Sequence, residues 1–271
     1  MRRVLRLVCL GDSFTEGVHD GLRPDGRFLG WSDRLARGLA VDAQSRDETV
    51  AYANLAVRGK LLDQIVDIQI PDALRLEPDV LTIHAGANDV LRPSTDLDSL
   101  IERYDAAIAG LVAPGRTVVM FTSIGRAGGT GKLANSLADR FGRYNAGIRG
   151  ISERHGTALV DLERIPVLSD RRMWHEDRLH LNRQGHARVA AATLDVVGVR
   201  DAQILGGDPG WWSEPLPADT QSAVVKAGSD AQWIAQHLVP WVIRRLRGVS
   251  SGDSVTAKQP SLTPVDPVSR P

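Results

Sequence analysis

Four short segments carry the residue types that acyl-transfer chemistry needs, and each also has a plainer explanation. Ser13 lies in Gly11-Asp12-Ser13-Phe14-Thr15-Glu16-Gly17, directly after an apolar run. A hydroxyl there is placed to attack a bound carbonyl, with small neighbours permitting close approach, or it simply caps a helix. Gly59 ends Asn54-Leu55-Ala56-Val57-Arg58-Gly59. Without a Cβ its N–H can approach a reacting oxygen, or the residue is a turn glycine. Asn88 lies in His84-Ala85-Gly86-Ala87-Asn88-Asp89. Its amide donates without adding a titrating charge, which suits oxyanion stabilisation; an ordinary Asx turn uses the same residues. Asp177 and His180 are three apart in Asp177-Arg178-Leu179-His180. At that spacing a carboxylate can fix an imidazole tautomer and stabilise its protonated form, although a lone Asp-x-x-His is usually a surface pair.

These residues need a scaffold, and the apolar pattern predicts one. Nearly continuous apolar runs at 4–10, 50–55, 80–84, 117–124 and 157–162 predict strands covered on both faces. Amphipathic stretches between them predict helices at 31–39, 60–76 (interrupted by Pro71), 97–112, 133–155 and 184–197. The clearest is 97–112, with Leu97, Leu100, Ile101, Tyr104, Ile108, Leu111 and Val112 on one stripe and Glu102, Arg103 and Asp105 off it. Such alternation implies a parallel sheet with helices on both sides, and ligands bind beyond the carboxyl ends of its strands. Ser13, Gly59 and Asn88 follow the first three strands; Asp177 and His180 come after the fifth.

Composition excludes several function classes. The 271 residues carry 33 Lys+Arg and 33 Asp+Glu, so no global field attracts nucleic acid or an anionic membrane. One cysteine, Cys9, forbids an internal disulfide and a Cys-based metal cluster. No run approaches the ~20 apolar residues of a membrane span. The short apolar stretch after Arg2-Arg3 is broken by Arg6 and has no small-residue cleavage site. The expectation is an unexported, cytoplasmic protein with no integral membrane segment. The sequence is silent on oligomeric state.

The four ordered segments resemble the SGNH/GDSL hydrolase family of esterases and lipases. Gly11-Asp12-Ser13, Gly59, Gly86-x-Asn88-Asp89 and Asp177-x-x-His180 correspond to its successive blocks, over roughly residues 1–197. The resemblance implies a flavodoxin-like three-layer α/β/α fold with a five-stranded parallel sheet. It implies Ser13 as nucleophile, His180 as general base and acid, and Asp177 as the group that orients His180. The oxyanion would meet the N–H groups of Ser13 and Gly59 and the Asn88 amide. Asp12 and Asp89 would hold their loops. No metal or cofactor is implied. His175 is a rival base, ranked lower because the family pattern places the base three residues after the Asp.

The implied reaction is hydrolysis of a small or medium soluble ester through an acyl-Ser13 intermediate. Carbohydrate O-deacetylation or acyl transfer to an alcohol are alternatives on the same residues. The loops after the strands carry Arg23, Arg27, Arg92, Arg126, Arg171 and Arg172 with Phe28 and Trp174. These arginines suit an anionic or sugar ester, but the preferred reading is that most are ordinary loop charges. A non-enzymatic alternative is a nucleotide- or partner-binding module. Gly125-Arg126-Ala127-Gly128-Gly129-Thr130-Gly131-Lys132 sits where a P-loop would, but its spacing fails and Leu133 replaces the Ser or Thr. Residues 198–247 form an expected extension in which a Trp-rich helix (224–246) packs on the catalytic domain. Residues 248–271, rich in Ser, Thr and Pro, are expected to be disordered.

Overall fold

The computed structural model describes residues 2–125, 132–218, 252 and 254–267. Five parallel strands form the body of one sheet: β1 (Val4–Gly11), β2 (Thr49–Asn54), β3 (Val80–His84), β4 (Thr117–Phe121) and β5 (Ala158–Val160). A sixth, β6 (Gln259–Pro264), pairs antiparallel with β2, giving the order β5-β4-β3-β1-β2-β6. The chain crosses from one side of β1 to the other between β2 and β3. The β1/β3 boundary is therefore the switch point at which open α/β sheets bind ligands.

The two sheet faces are covered because adjacent strand residues point to opposite sides. In β1, Leu7 and Cys9 join one core with α2 (Trp31–Gln44) and α8 (Arg183–Val196). Val8 and Leu10 join the other, with α6 (Leu97–Leu111) and α7 (Lys132–His155). Cys9 is fully buried, and burial pushes its thiol up to about 12, so it packs rather than reacts. Among the described residues no helix is long and apolar enough to cross a membrane.

The expected α/β architecture is present, with corrections. The 60–76 stretch is not one helix. It comprises α3 (Leu62–Gln64), a π-helical turn (Ile65–Gln69) and α4 (Ile70–Arg75). Pro71 offers no N–H and crowds the preceding turn, which the wider π turn accommodates. The fourth strand stops at Phe121 rather than continuing to 124; Ser123 N–H donates to Asn145 Oδ1 on α7 (2.8 Å) instead of to a strand.

The sheet has six strands rather than five, and the segment expected to be disordered, 248–271, supplies the sixth. Its composition cannot build a core, but it needs none. The edge of β2 offers unpaired backbone groups, and one buried side chain pins the strand. Lys258, 4% exposed, donates from Nζ to the carbonyls of Glu16 (2.7 Å), Leu29 (2.9 Å) and Phe28 (3.1 Å), and pairs with Asp33. The 224–246 helix and residues 126–131 of the glycine-rich loop lie outside the described residues. Of the extension, Trp212 is buried in the α2/α8 core, and Arg188 of α8 stacks over Trp211 at 5.1 Å.

Candidate active site

Ser13 opens a single helical turn, α1 (Ser13–Glu16), at the carboxyl end of β1. The turn is tight because Gly11 has φ +148°, and a Cβ there would lie 2.6 Å from both the His84 carbonyl and Thr15 Oγ1. Asp12 caps the turn, its Oδ1 accepting from Phe14 N–H at 3.0 Å. Gln69, in the π turn, clamps Gly11 from below by bonding both its N–H (2.8 Å) and its carbonyl (2.9 Å).

Gly59 and Asn88 arrive from the strands flanking β1. Gly59 adopts φ +75°, left-handed backbone that favours glycine. Its turn is tied to α1 by Glu16, whose carboxylate accepts from Arg58 N–H (2.8 Å) and pairs with the Arg58 guanidinium. Asn88 lies in α5 (Ala87–Val90) and donates from Nδ2 to Asp12 Oδ2 (2.9 Å) and to the Lys60 carbonyl (3.1 Å). One amide thus bridges the neighbour of Ser13 and the neighbour of Gly59. Asp89 accepts from Leu62 N–H at 3.0 Å, joining the Asn88 turn to the start of α3. Burial pushes the Asp89 carboxyl up to about 6.

Asp177 and His180 occupy a closed loop ahead of α8. The loop is pinned by a bridge between Trp174 and Leu181 and by His175 N–H donating to the His180 carbonyl (2.9 Å). His180 Nδ1 lies 2.6 Å from Asp177 Oδ2, while Asp177 Oδ1 accepts from the N–H groups of Leu179 (3.0 Å) and His180 (3.1 Å). Burial alone would raise the Asp177 carboxyl. The hydrogen bonds from His180 and His19 outweigh it and hold the group well below the ordinary carboxylate range. Both Ser13 and His180 are half-buried. No hydrogen bond joins them among the described residues.

His175 is placed differently from His180. Its Nδ1 accepts from Asp177 N–H at 3.3 Å and stands 3.7 Å from Asp177 Oδ1. Burial, aided by the neighbouring His19, lowers its pKa. His19 itself escaped the sequence reading. It sits six residues after Ser13, and its Nε2 lies 3.3 Å from Asp177 Oδ2. The only signal in the sequence was its place in the loop after strand one; its contact is long-range. His19, Asp177 and His180 also hold ligand atoms within 4.8 Å of one another, a spacing that a divalent cation could use. Of these atoms, His180 Nδ1 is already hydrogen-bonded to the carboxylate.

Several of the loop arginines have protein partners. Arg23 pairs with Asp33 (3.3 Å), Arg27 donates to the Lys258 carbonyl, and Arg172 pairs with Asp170 (2.6 Å). Phe28 lies against His19 (5.7 Å) and under Arg58 (5.4 Å), and Trp174 Nε1 donates to the Leu168 carbonyl (2.8 Å).

Comparison with known proteins agrees with this architecture. Several solved structures share the fold. An α/β hydrolase enzyme, LAE5, from the metagenome of Lake Arreo is 22% identical, with a TM-score of 0.60, over 73% of this chain and 97% of that one. A catalytic mutant of Axe2, an acetylxylan esterase from Geobacillus stearothermophilus, is 18% identical, with a TM-score of 0.58, over 73% and 96%. The psychrotrophic esterase EstA from Pseudoalteromonas sp. is 16% identical, with a TM-score of 0.54, over 71% and 96%. A search of curated proteins returns no match. A sequence model of the GDSL-like Lipase/Acylhydrolase family matches residues 9–188, which spans Ser13, Gly59, Asn88, Asp177 and His180. The chain belongs to that family and is a carboxylic ester hydrolase.

Proposed function

We propose that the protein hydrolyses small or medium soluble esters through a covalent acyl-Ser13 intermediate. The observation that carries this reading is the 2.6 Å hydrogen bond between His180 and Asp177, with Asp177 held ionised. An ionised carboxylate on Nδ1 leaves His180 Nε2 as the basic nitrogen and stabilises the imidazolium that follows. In the first half-reaction Ser13 Oγ attacks the ester carbonyl and its proton passes to His180 Nε2. The tetrahedral oxyanion is met by the N–H groups of Ser13 and Gly59 and by the Asn88 amide. Collapse expels the alcohol, which takes the proton back from His180. Water then attacks the acyl-Ser13 carbonyl by the same route and regenerates the hydroxyl.

Both Asn88 amide protons are engaged at rest, one by Asp12 and one by the Lys60 carbonyl. A charged oxyanion is the stronger acceptor and draws away the proton held by the neutral carbonyl. The bond to Asp12 meanwhile keeps the amide in place. A second substrate reading, removal of acetyl groups from carbohydrate, is favoured by the structural likeness to a protein named as an acetylxylan esterase.

The test is labelling with a fluorophosphonate probe alongside nitrophenyl esters of increasing chain length and an acetylated xylose. Wild type should label, and Ser13→Ala should neither label nor turn over any ester. Equal labelling of Ser13→Ala would overturn the nucleophile assignment. Full kcat in His180→Ala would move the base to His175.

A further inference from the structure

His19 makes contacts that the mechanism above leaves unused. It follows α1 in a left-handed conformation, φ +69°, which costs a non-glycine residue and persists only where the surroundings hold it. Two contacts do so. Its ring lies flat on His175, centroids 3.7 Å apart and planes within 2°. Its Nε2 reaches Asp177 Oδ2 at 3.3 Å, the same oxygen that accepts from His180 Nδ1. The His180 ring is 5.3 Å away, and Phe28 closes the other side at 5.7 Å. The charged and titratable groups around His19 are thus Asp177, His180 and His175, with Glu176 beside the last.

We infer that His19 is a positioning residue, which holds the Asp177 carboxylate against His180 and ties the nucleophile loop to the base loop. The inference rests on the assignment of Asp177 and His180 proposed above. His19 thus brings the Ser13–Leu29 segment against the Asp177 loop through one polar contact and one ring stack. Asp177 Oδ1 is fixed by two backbone N–H groups of its own loop, and Oδ2 lies between His180 Nδ1 and His19 Nε2. His19 Nε2 also stands beside the oxygen that accepts from His180 Nδ1, so the two rings compete for that carboxylate's charge.

Two substitutions separate the bond from the backbone strain. Asparagine tolerates left-handed φ but is too short to reach Asp177; glutamine is strained there but carries an amide N–H at about the distance of Nε2. A residue needed only for backbone shape would leave His19→Asn the more active of the two. A positioning residue reverses that order. We expect His19→Asn to lose about tenfold in kcat on a nitrophenyl acetate, the scale of losing a partner to an orienting group, with KM little changed. His19→Gln should recover most of that loss. The acidic limb of the kcat/KM profile should move in His19→Asn, because Asp177 Oδ2 loses its contact with the His19 ring. Wild-type kcat with an unmoved limb in His19→Asn, or greater activity in His19→Asn than in His19→Gln, would overturn the inference. Ser13→Ala and His180→Ala run in parallel: if either keeps full activity, the underlying assignment has failed instead.

Discussion

The Asn88 amide bonds Asp12 Oδ2 at 2.9 Å and the Lys60 carbonyl at 3.1 Å, so one side chain serves two tasks. It ties the Ser13 turn to the Gly59 turn, and in the proposed mechanism it also meets the oxyanion. Asn88→Ala should therefore lower kcat by roughly 10²–10³, the usual effect of removing one oxyanion donor. Steady-state kinetics on a nitrophenyl ester will show whether KM stays within a few-fold. Asp89 teaches a different lesson about the neighbouring position. Its carboxyl is buried and raised to about 6, so the folded protein holds its proton more tightly than the unfolded chain does. Its contribution to stability therefore falls as pH rises from the ordinary carboxylate value through about 6. Asp89→Asn keeps an oxygen for the Leu62 N–H and removes that penalty. We expect its melting temperature to exceed wild type by more at pH 8 than at pH 5, a gain on the order of 2 kcal/mol at the higher pH.

At the scale of elements, β6 changes what the carboxyl-terminal segment is for. It covers the outer edge of β2, where exposed backbone groups would otherwise invite pairing with another chain. Lys258 carries the attachment inward, to the last residue of α1 and to the two residues that precede α2's cap. Removing its ammonium takes from Asp33 its buried ion-pair partner and strands three carbonyls in a buried place. Lys258→Met should cost about 3 kcal/mol, the lower end for breaking a buried pair, and lower the melting temperature by roughly 6–12 °C. Calorimetry measures this directly; a change under about 2 °C would show that β6 does not brace the domain. Serine, threonine and proline content misjudged this segment because composition measures a segment's capacity for its own core. It does not measure its fit to an edge that another part of the chain leaves open.

Over the whole molecule, buried titratable groups set opposing pH dependences. His186, on α8, is 1% exposed, and burial lowers it to about 4. Between that value and the ordinary imidazole value the unfolded chain binds the extra proton, so this residue makes stability rise with pH. Asp89 acts oppositely over nearly the same range. Asp177, held below the ordinary carboxylate range, adds stability that is lost only in stronger acid. Asp89→Asn, freed of the falling arm, should therefore gain more stability than wild type as pH rises from about 4 to 6. Urea melts at several pH values give both slopes. Equal slopes for the two proteins would mean that Asp89 is not titrating as its burial implies.

The sequence alone determined the α/β class, the five parallel strands and the places where chemistry-bearing residues meet strand ends. These follow from local properties: apolar runs of strand length, glycines at tight turns and short ordered motifs. Cys9 was legible as packing because it lies inside such a run. The sequence did not disclose β6, the buried Lys258 or the π turn before Pro71, nor did it single out His19. Apart from the π turn, which answers to the nearby Pro71, each depends on a partner remote in the chain: Lys258 on Glu16, Phe28 and Asp33, and His19 on Asp177 and His175. Backbone pairing at an open edge and a second ring beside a shared carboxylate leave no periodicity in sequence. Only the tertiary structure, by bringing distant segments within hydrogen-bond reach, decided them.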